Sequence, residues 1–74
     1  MTELIPGQLY MAKIPFRGTD CDNNTNKKIW ARPLLILSSS IKEADLIQFK
    51  FLVGNKIYEA KLFNNPSFYF RELT

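Results

Sequence analysis

The stretch Leu46-Ile47-Gln48-Phe49-Lys50-Phe51-Leu52-Val53-Gly54-Asn55-Lys56-Ile57-Tyr58-Glu59-Ala60-Lys61-Leu62-Phe63 decides the fold. Gly54-Asn55 has the chemistry of a two-residue hairpin turn, with glycine at the first central position. Placing Val53 opposite Lys56 and counting outwards sets Phe51 against Tyr58, Phe49 against Ala60 and Ile47 against Leu62. These six share one apolar face. On the other face Lys50 meets Glu59 and Gln48 meets Lys61, and cross-strand pairs of this kind contribute roughly 0.2–1 kcal/mol each. A slip of one residue would bury the charges, so the register is well specified. The spacing predicts a β-hairpin over 46–53 and 56–63.

Working outward, Ile29 to Leu37 reads as another strand. Its run Leu34-Leu35-Ile36-Leu37 is continuously apolar, as a strand covered on both faces requires. Pro33 cannot donate to a ladder and belongs at an unpaired or edge position. Ser38-Ser39-Ser40 is expected to end the strand, and Ile41 to Asp45 to form a short turn. Upstream, Gly7 to Ile14 is predicted as the first strand, between Pro6-Gly7 and Pro15. Gly18 to Lys28 is polar and rich in Asx residues and is expected to be a long surface loop. Downstream, Asn64-Asn65-Pro66 predicts a tight or 3₁₀ turn that launches a last strand, Ser67 to Arg71.

Five short strands with these connections predict an all-β chain folded as a small five-stranded SH3-like barrel. Closing a bent sheet on itself buries one apolar face and shortens exposed edges. The alternative is a five-stranded OB-like barrel, but that fold usually carries a helix between strands three and four, and Gly54-Asn55 leaves no space for one.

Seventy-four residues are read as a single domain, 1–74. A chain this short buries only about 60% of its unfolded surface, so its core is thin. The 46% hydrophobic and 14% aromatic content is nevertheless ample for an ordered core. Cys21 stands alone, so no internal disulfide is expected. The absence of histidine removes the commonest general base and most zinc sites, and no cofactor is expected. Met1 to Gly7 lacks the pattern of a signal peptide, and no run approaches the ~18 apolar residues of a membrane span. A cytoplasmic protein with no membrane partner is expected. The net charge of +3 is a mild excess that permits nucleic acid without requiring it.

Pro6-Gly7-Gln8-Leu9-Tyr10, then Pro15-Phe16, a polar loop, Lys27-Lys28 and Arg32-Pro33-Leu34-Leu35-Ile36-Leu37-Ser38 together resemble the N-terminal half of the MazF/PemK toxin family. The resemblance implies an SH3-like barrel. It also implies that Arg32 stands where the family carries an arginine that stabilises charge on an RNA phosphate during cleavage. Gln8 replaces the family's acidic residue, and Leu46 to Val53 offers no counterpart for its second catalytic residue, a Thr or Ser. Leu9-Tyr10 and Pro66-Ser67-Phe68-Tyr69 also resemble the beginning and end of true SH3 domains.

Two groups of side chains are candidates for function. Tyr10, Phe16, Trp30, Phe68 and Tyr69, with Phe70 nearby, form an expected aromatic protein interface, since Trp, Tyr and Arg are enriched at hot spots. Lys13, Arg17, Lys27, Lys28 and Arg32 flank the polar loop. Beside Trp30 and Phe16 they suit single-stranded nucleic acid, where bases stack on rings and cations meet phosphates. Asp20, Asp22, Asn24 and Asn26 have the alternate spacing of a calcium loop. Counted from Asp20, however, positions six and twelve hold Thr25 and Ala31 rather than the required Gly and Glu. The expected function is therefore non-catalytic protein interaction. Its size and style are those of small phage or mobile-element accessory proteins that bind and inhibit host proteins. Single-stranded nucleic-acid binding and a reduced MazF-like endoribonuclease are the alternatives. Edge-strand pairing into a homodimer is a further expectation for so thin a core.

Overall fold

The computed structural model describes residues 3–43, 46–63 and 65–73. Seven strands follow in order: β1 Leu9–Ala12, β2 Phe16–Asp20, β3 Thr25–Ile29, β4 Pro33–Glu43, β5 Leu46–Val53, β6 Lys56–Phe63 and β7 Phe70–Glu72. A 3₁₀ turn, Pro66–Phe68, precedes β7. All described pairings are antiparallel, in the spatial order β3-β2-β6-β5-β4-β1-β7. The sheet curls into a half-barrel. Among the described residues it has seven strands, not five. Among the described residues no helix is long and apolar enough to cross a membrane.

The β5–β6 hairpin has the register expected from its sequence: Val53 opposes Lys56, Phe51 opposes Tyr58, Phe49 opposes Ala60 and Ile47 opposes Leu62. Gly54 has φ +63°, and Asn55 does not share the positive region. Positive φ at the first central residue alone is the type II′ pattern, whose twist matches that of the flanking strands.

Two extra strands come from the segment expected to be a loop. Gly18 to Lys28 instead forms most of a hairpin, with Phe16 opposite Ile29 and Asp20 opposite Thr25. Its inward positions are Phe16, Gly18 and Asp20, and all three are buried. The polar composition hides this alternation because only one of the three is a large apolar residue. Gly18 is needed for packing: a Cβ there would lie 3.2 Å from the Phe51 ring and 3.4 Å from Ile29. The turn is built on Asp20. Its fully buried carboxylate accepts the Asp22 amide at 2.9 Å and the Asn23 amide at 3.4 Å, and its carbonyl accepts the Asn24 amide at 2.7 Å. Asn24 takes the left-handed conformation, φ 55°, that Asx residues tolerate.

Strand β4 also departs from expectation. It starts at Pro33, where the missing N–H is tolerated at a strand's first residue, and Ile29 belongs to β3. It does not stop at Ser38-Ser39-Ser40 but continues to Glu43, past register shifts at Leu37 and Lys42. The serines pair along β5, satisfying backbone groups that would otherwise lack a ladder partner. Ile41 to Glu43 is strand rather than turn, and Ala44 and Asp45 lie outside the described residues. The first strand is shorter than predicted, at Leu9–Ala12. A 3₁₀ turn does precede β7, but over Pro66–Phe68, so Ser67 and Phe68 belong to the turn and the last strand is Phe70–Glu72 rather than Ser67 to Arg71; the Asn65 side chain caps the turn by accepting the Ser67 amide at 2.9 Å, and Asn64 lies outside the described residues.

The core is aromatic. The Phe16 ring lies 5.4 Å from both Phe51 and Phe70, Phe49 lies 5.4 Å from Phe51, and Phe49 meets Phe70 edge-on at 5.7 Å. Such pairs are worth about 0.5–1.5 kcal/mol beyond their burial. One open side of the curl is plugged by Leu4, which is buried against the core. Its segment is held by the Ile5 amide donating to the Tyr10 hydroxyl at 2.9 Å and by the Gly7 amide donating to the Ile36 carbonyl at 2.8 Å.

Candidate binding surface

Side chains alternate across a strand, so the buried residues fix which positions point outward. Tyr10, Leu34, Phe51 and Tyr58 are buried. Their neighbours Leu9, Leu35, Leu52 and Ile57 therefore stand on the solvent face. The registers place these four in one line across four strands: Leu9 opposes Leu35, Leu35 opposes Leu52, and Leu52 opposes Ile57. The line extends at one end to Leu73, whose amide donates to the Leu9 carbonyl at 3.2 Å. Leu9 is 48% exposed and Ile57 39%, while Leu35, Leu52 and Leu73 are half-buried. Leu37, at the β4 bulge, adds apolar surface beside the row. A contiguous apolar row on the solvent face of a sheet is unlike the singly scattered hydrophobic residues of an ordinary surface.

A polar row runs beside it. Ser38 opposes Lys50, Lys50 opposes Glu59, and Glu59 opposes Thr19. Thr19 in turn opposes Asn26, and its hydroxyl donates to the Asn26 side-chain oxygen at 2.9 Å. The third row is cationic. Arg17 opposes Lys28 directly on the outward face of the β2–β3 hairpin. Continuing the β2–β6 register two residues beyond Thr19 and Glu59 brings Lys61 opposite Arg17. The two line a shared open hollow of about 390 Å³. Like charges directly opposed on a sheet are destabilising. The Lys28 ammonium lies 4.7 Å from the centroid of the Trp30 ring, a cation–π contact that holds one exposed aromatic at the end of this row.

The expected interface residues separate. Tyr10 and Phe16 are buried at 0% and 6% exposure and belong to the core, because their strands turn them inward. Trp30 and Phe68 are exposed at 63% and 60%, and Tyr69 is half-buried with the Phe68 ring edge-on against it at 5.2 Å. The basic candidates separate too. Arg17 and Lys28 share a face. Lys27 opposes Gly18 and therefore takes the opposite face of the hairpin. Lys13 and Arg32 lie at the far end of β1, where the Lys13 amide donates to the Tyr69 carbonyl and the Ala12 amide to the Arg32 carbonyl. Sequence reasoning missed Leu9, Leu35, Leu52 and Ile57 as a group. The signal was present in the hairpin register, since the count that sets Lys50 against Glu59 also sets Leu52 against Ile57.

Asp20 is the most perturbed ionisable group among the described residues. The Asp22 amide holds its carboxyl below the ordinary value of 3.8, opposed by burial and helped by the Asn23 amide and Lys56. The Lys56 ammonium lies 3.5 Å away. The Asp22 and Asn23 amides tie Asp20 to the turn of the hairpin that presents Arg17 and Lys28, and Lys56 ties it to the start of β6. The chain matches no family model, no curated protein and no solved structure.

Proposed function

We propose that this chain is a non-catalytic protein-interaction module that docks its partner on the solvent face of the curled sheet. The observation that carries the reading is the row Leu9–Leu35–Leu52–Ile57. Aliphatic side chains exposed in a line gain about 25 cal/mol for each Å² they remove from water, so covering them favours association. We read the half-barrel as SH3-like. Support comes from the β4–β5–β6 meander, from β1 bridging β4 and β7, and from the 3₁₀ turn before the last strand. The β2–β3 hairpin takes the place of the long first loop. The test is a stoichiometric partner, isolated with nuclease present, whose affinity is lost in Leu52→Lys while the chain still unfolds cooperatively.

A second reading rests on the Lys28–Trp30 contact and the opposed Arg17 and Lys28. A cationic line ending on an exposed indole suits single-stranded nucleic acid, whose phosphates meet the cations and whose bases stack on the ring. Salt-dependent binding of an oligonucleotide that vanishes in Arg17→Ala and Trp30→Ala would favour it.

A further inference from the structure

We propose that the free stretch of the β4 edge pairs with the same stretch of a second copy of the chain, antiparallel, about a two-fold axis at Ser40. This surface is separate from the aliphatic row, which edge pairing leaves uncovered. Backbone direction carries the inference. The two-residue turn Gly54-Asn55 closes on Val53 and Lys56, whose backbone groups therefore bond each other. Hydrogen-bonding direction alternates along an antiparallel strand. Leu52, Lys50 and Gln48 thus turn their backbone groups towards β4, where they meet Leu35, Ser38 and Ser40. Ile36, Ser39 and Ile41 point the opposite way. Ile36 bears this out: its amide donates to the Gln8 carbonyl at 3.2 Å, and its carbonyl accepts the Gly7 amide at 2.8 Å. Strand β1 and the chain leading into it cover β4 only from Pro33 to Ile36. Among the described residues, no backbone group bonds the outward amides and carbonyls of Ser39 and Ile41.

The two terminal edges of the sheet are blunted. Strand β3 carries Lys27 and Lys28, and β7 is three residues long and carries Arg71 and Glu72. Lysine side chains and short length keep edges from pairing. The free stretch of β4, 37–43, instead has three serines at its centre, and its bulges at Leu37 and Lys42 bracket a regular run, 38–41. Two constraints select a second copy and fix its register. Ser40 is the midpoint of 37–43, so two such stretches paired about it stop short of each other's β1-covered segment. The same axis opposes Ser39 to the partner's Ile41, and Ile41 to the partner's Ser39. These are the outward-pointing residues, so each pair exchanges both of its backbone hydrogen bonds. The side chains agree with this register. Ser39 and Ile41 oppose Phe49 and Ile47 and share their core-side face, yet Ile41 is 58% exposed. Beside it lies a hollow of about 270 Å³ lined by Leu4, Ile5, Ser39 and Ile41, among others. Pairing sets each Ile41 over the partner's Ser39, at the mouth of that hollow, and the small serine leaves the isoleucine room. Ser38 falls opposite the partner's Lys42, so no like charges are opposed. A surface that meets itself in this way is the isologous contact of a two-fold dimer.

The test is sedimentation of the intact chain over a concentration series, with urea unfolding as the folding control. A monomer–dimer equilibrium is expected. Ser39→Pro removes an outward N–H that β5 does not use, at a place where an edge strand tolerates proline. The chain should fold while the dimer weakens about tenfold or more, because the lost bond occurs twice across the two-fold axis. Ile41→Lys, at an exposed side chain, is expected to weaken the dimer likewise and decides the matter should the proline variant not fold. Cys21 is exposed, so cross-linking uses a Cys21→Ser background. There Ser40→Cys should oxidise to a disulfide-linked dimer, because directly opposed residues without mutual hydrogen bonds lie about 4.5 Å apart at Cα, within disulfide range. Ser38→Cys should not, since its two copies stand roughly 14 Å apart. A chain that stays monomeric throughout overturns the proposal. So does a dimer that survives both Ser39→Pro and Ile41→Lys, or one lost only in Leu52→Lys, which assigns association to the aliphatic row. Linkage through Ser38→Cys with none through Ser40→Cys overturns the axis at Ser40. A monomeric chain whose Ser39 and Ile41 amides are protected from exchange by the isolated protein partner gives the edge to that partner and likewise overturns the second copy.

Discussion

Leu52 and Ile57 face each other across the β5–β6 hairpin on its solvent side, one residue out of phase with Phe51 and Tyr58 on its core side. One turn, Gly54-Asn55, thus sets both the packing of the core and the alignment of the exposed row. The stacked pair Phe51–Tyr58, with ring centroids 5.7 Å apart, holds the register from within. Changing the outer pair should leave the fold alone. Leu52 is half-buried, so Leu52→Lys is predicted to lower the unfolding free energy by about 1 kcal/mol while leaving the chain folded, and to lower retention on a hydrophobic-interaction column.

The core and the surface should respond very differently to loss of the same ring. Phe70 is 1% exposed and touches Phe16 and Phe49; Phe68, two residues earlier, is 60% exposed. Phe70→Ala should cost about 3–5 kcal/mol, most of the stability of a chain this size. Phe68→Ala should cost about 0.5 kcal/mol or less. Urea unfolding of the two variants measures both.

Gly54 carries φ +63°, which an L side chain adopts only with strain. Nothing lies within 4 Å of a Cβ built there, so the penalty is conformational and not a clash. Gly54→Ala is predicted to destabilise by about 1–2 kcal/mol, read from the urea midpoint at unchanged slope.

Asp20 gives the stability a defined pH dependence. Its folded-state carboxyl ionises below the ordinary value of 3.8, chiefly because it accepts the Asp22 amide. The folded state therefore gains stability from the ionised form, fully present above the ordinary value and lost as pH falls through the lowered one. Asp20→Asn should melt at a lower temperature than the natural chain at neutral pH. The gap should narrow progressively below about pH 4. A constant gap across that range would show that the carboxylate's charge contributes nothing.

The cationic row makes a separate prediction for polyanions. If an oligonucleotide binds, the logarithm of its affinity should fall linearly with the logarithm of salt, with a slope of about 0.7 per phosphate contacted. Removing Arg17 or Lys28 should each reduce that slope by about one contact. Lys27→Ala should not, since Lys27 lies on the other face of the hairpin.

What the residues revealed on their own follows from how strongly each pattern constrains the chain. The β5–β6 hairpin was legible pair by pair because a glycine turn and strict alternation of Phe with Lys leave only one register. The β2–β3 hairpin was not legible. Its inward positions include Gly18 and Asp20, one suited by its closeness to Phe51 and the other by hydrogen bonds to the turn, so no apolar period marks it. Tyr10 and Phe16 looked available for an interface because sequence spacing does not say which way a short strand turns its rings. The apolar run Leu34-Leu35-Ile36-Leu37 signalled a strand with two apolar faces. Only the cross-strand registers showed that Leu35 meets Leu9 and Leu52 outside the core.

The docking surface is tested most directly by the solvent exposure of individual methyl groups. Leucine and isoleucine methyls are labelled, and a soluble paramagnetic agent is added with and without the isolated protein partner. Leu9, Leu35, Leu52 and Ile57 are predicted to lose relaxation enhancement together when the partner binds, while Ile5 and Ile41, exposed within one chain, show no change on partner binding. Protection confined to Ile5 and Ile41, or none at the four aligned residues, would contradict docking on this row.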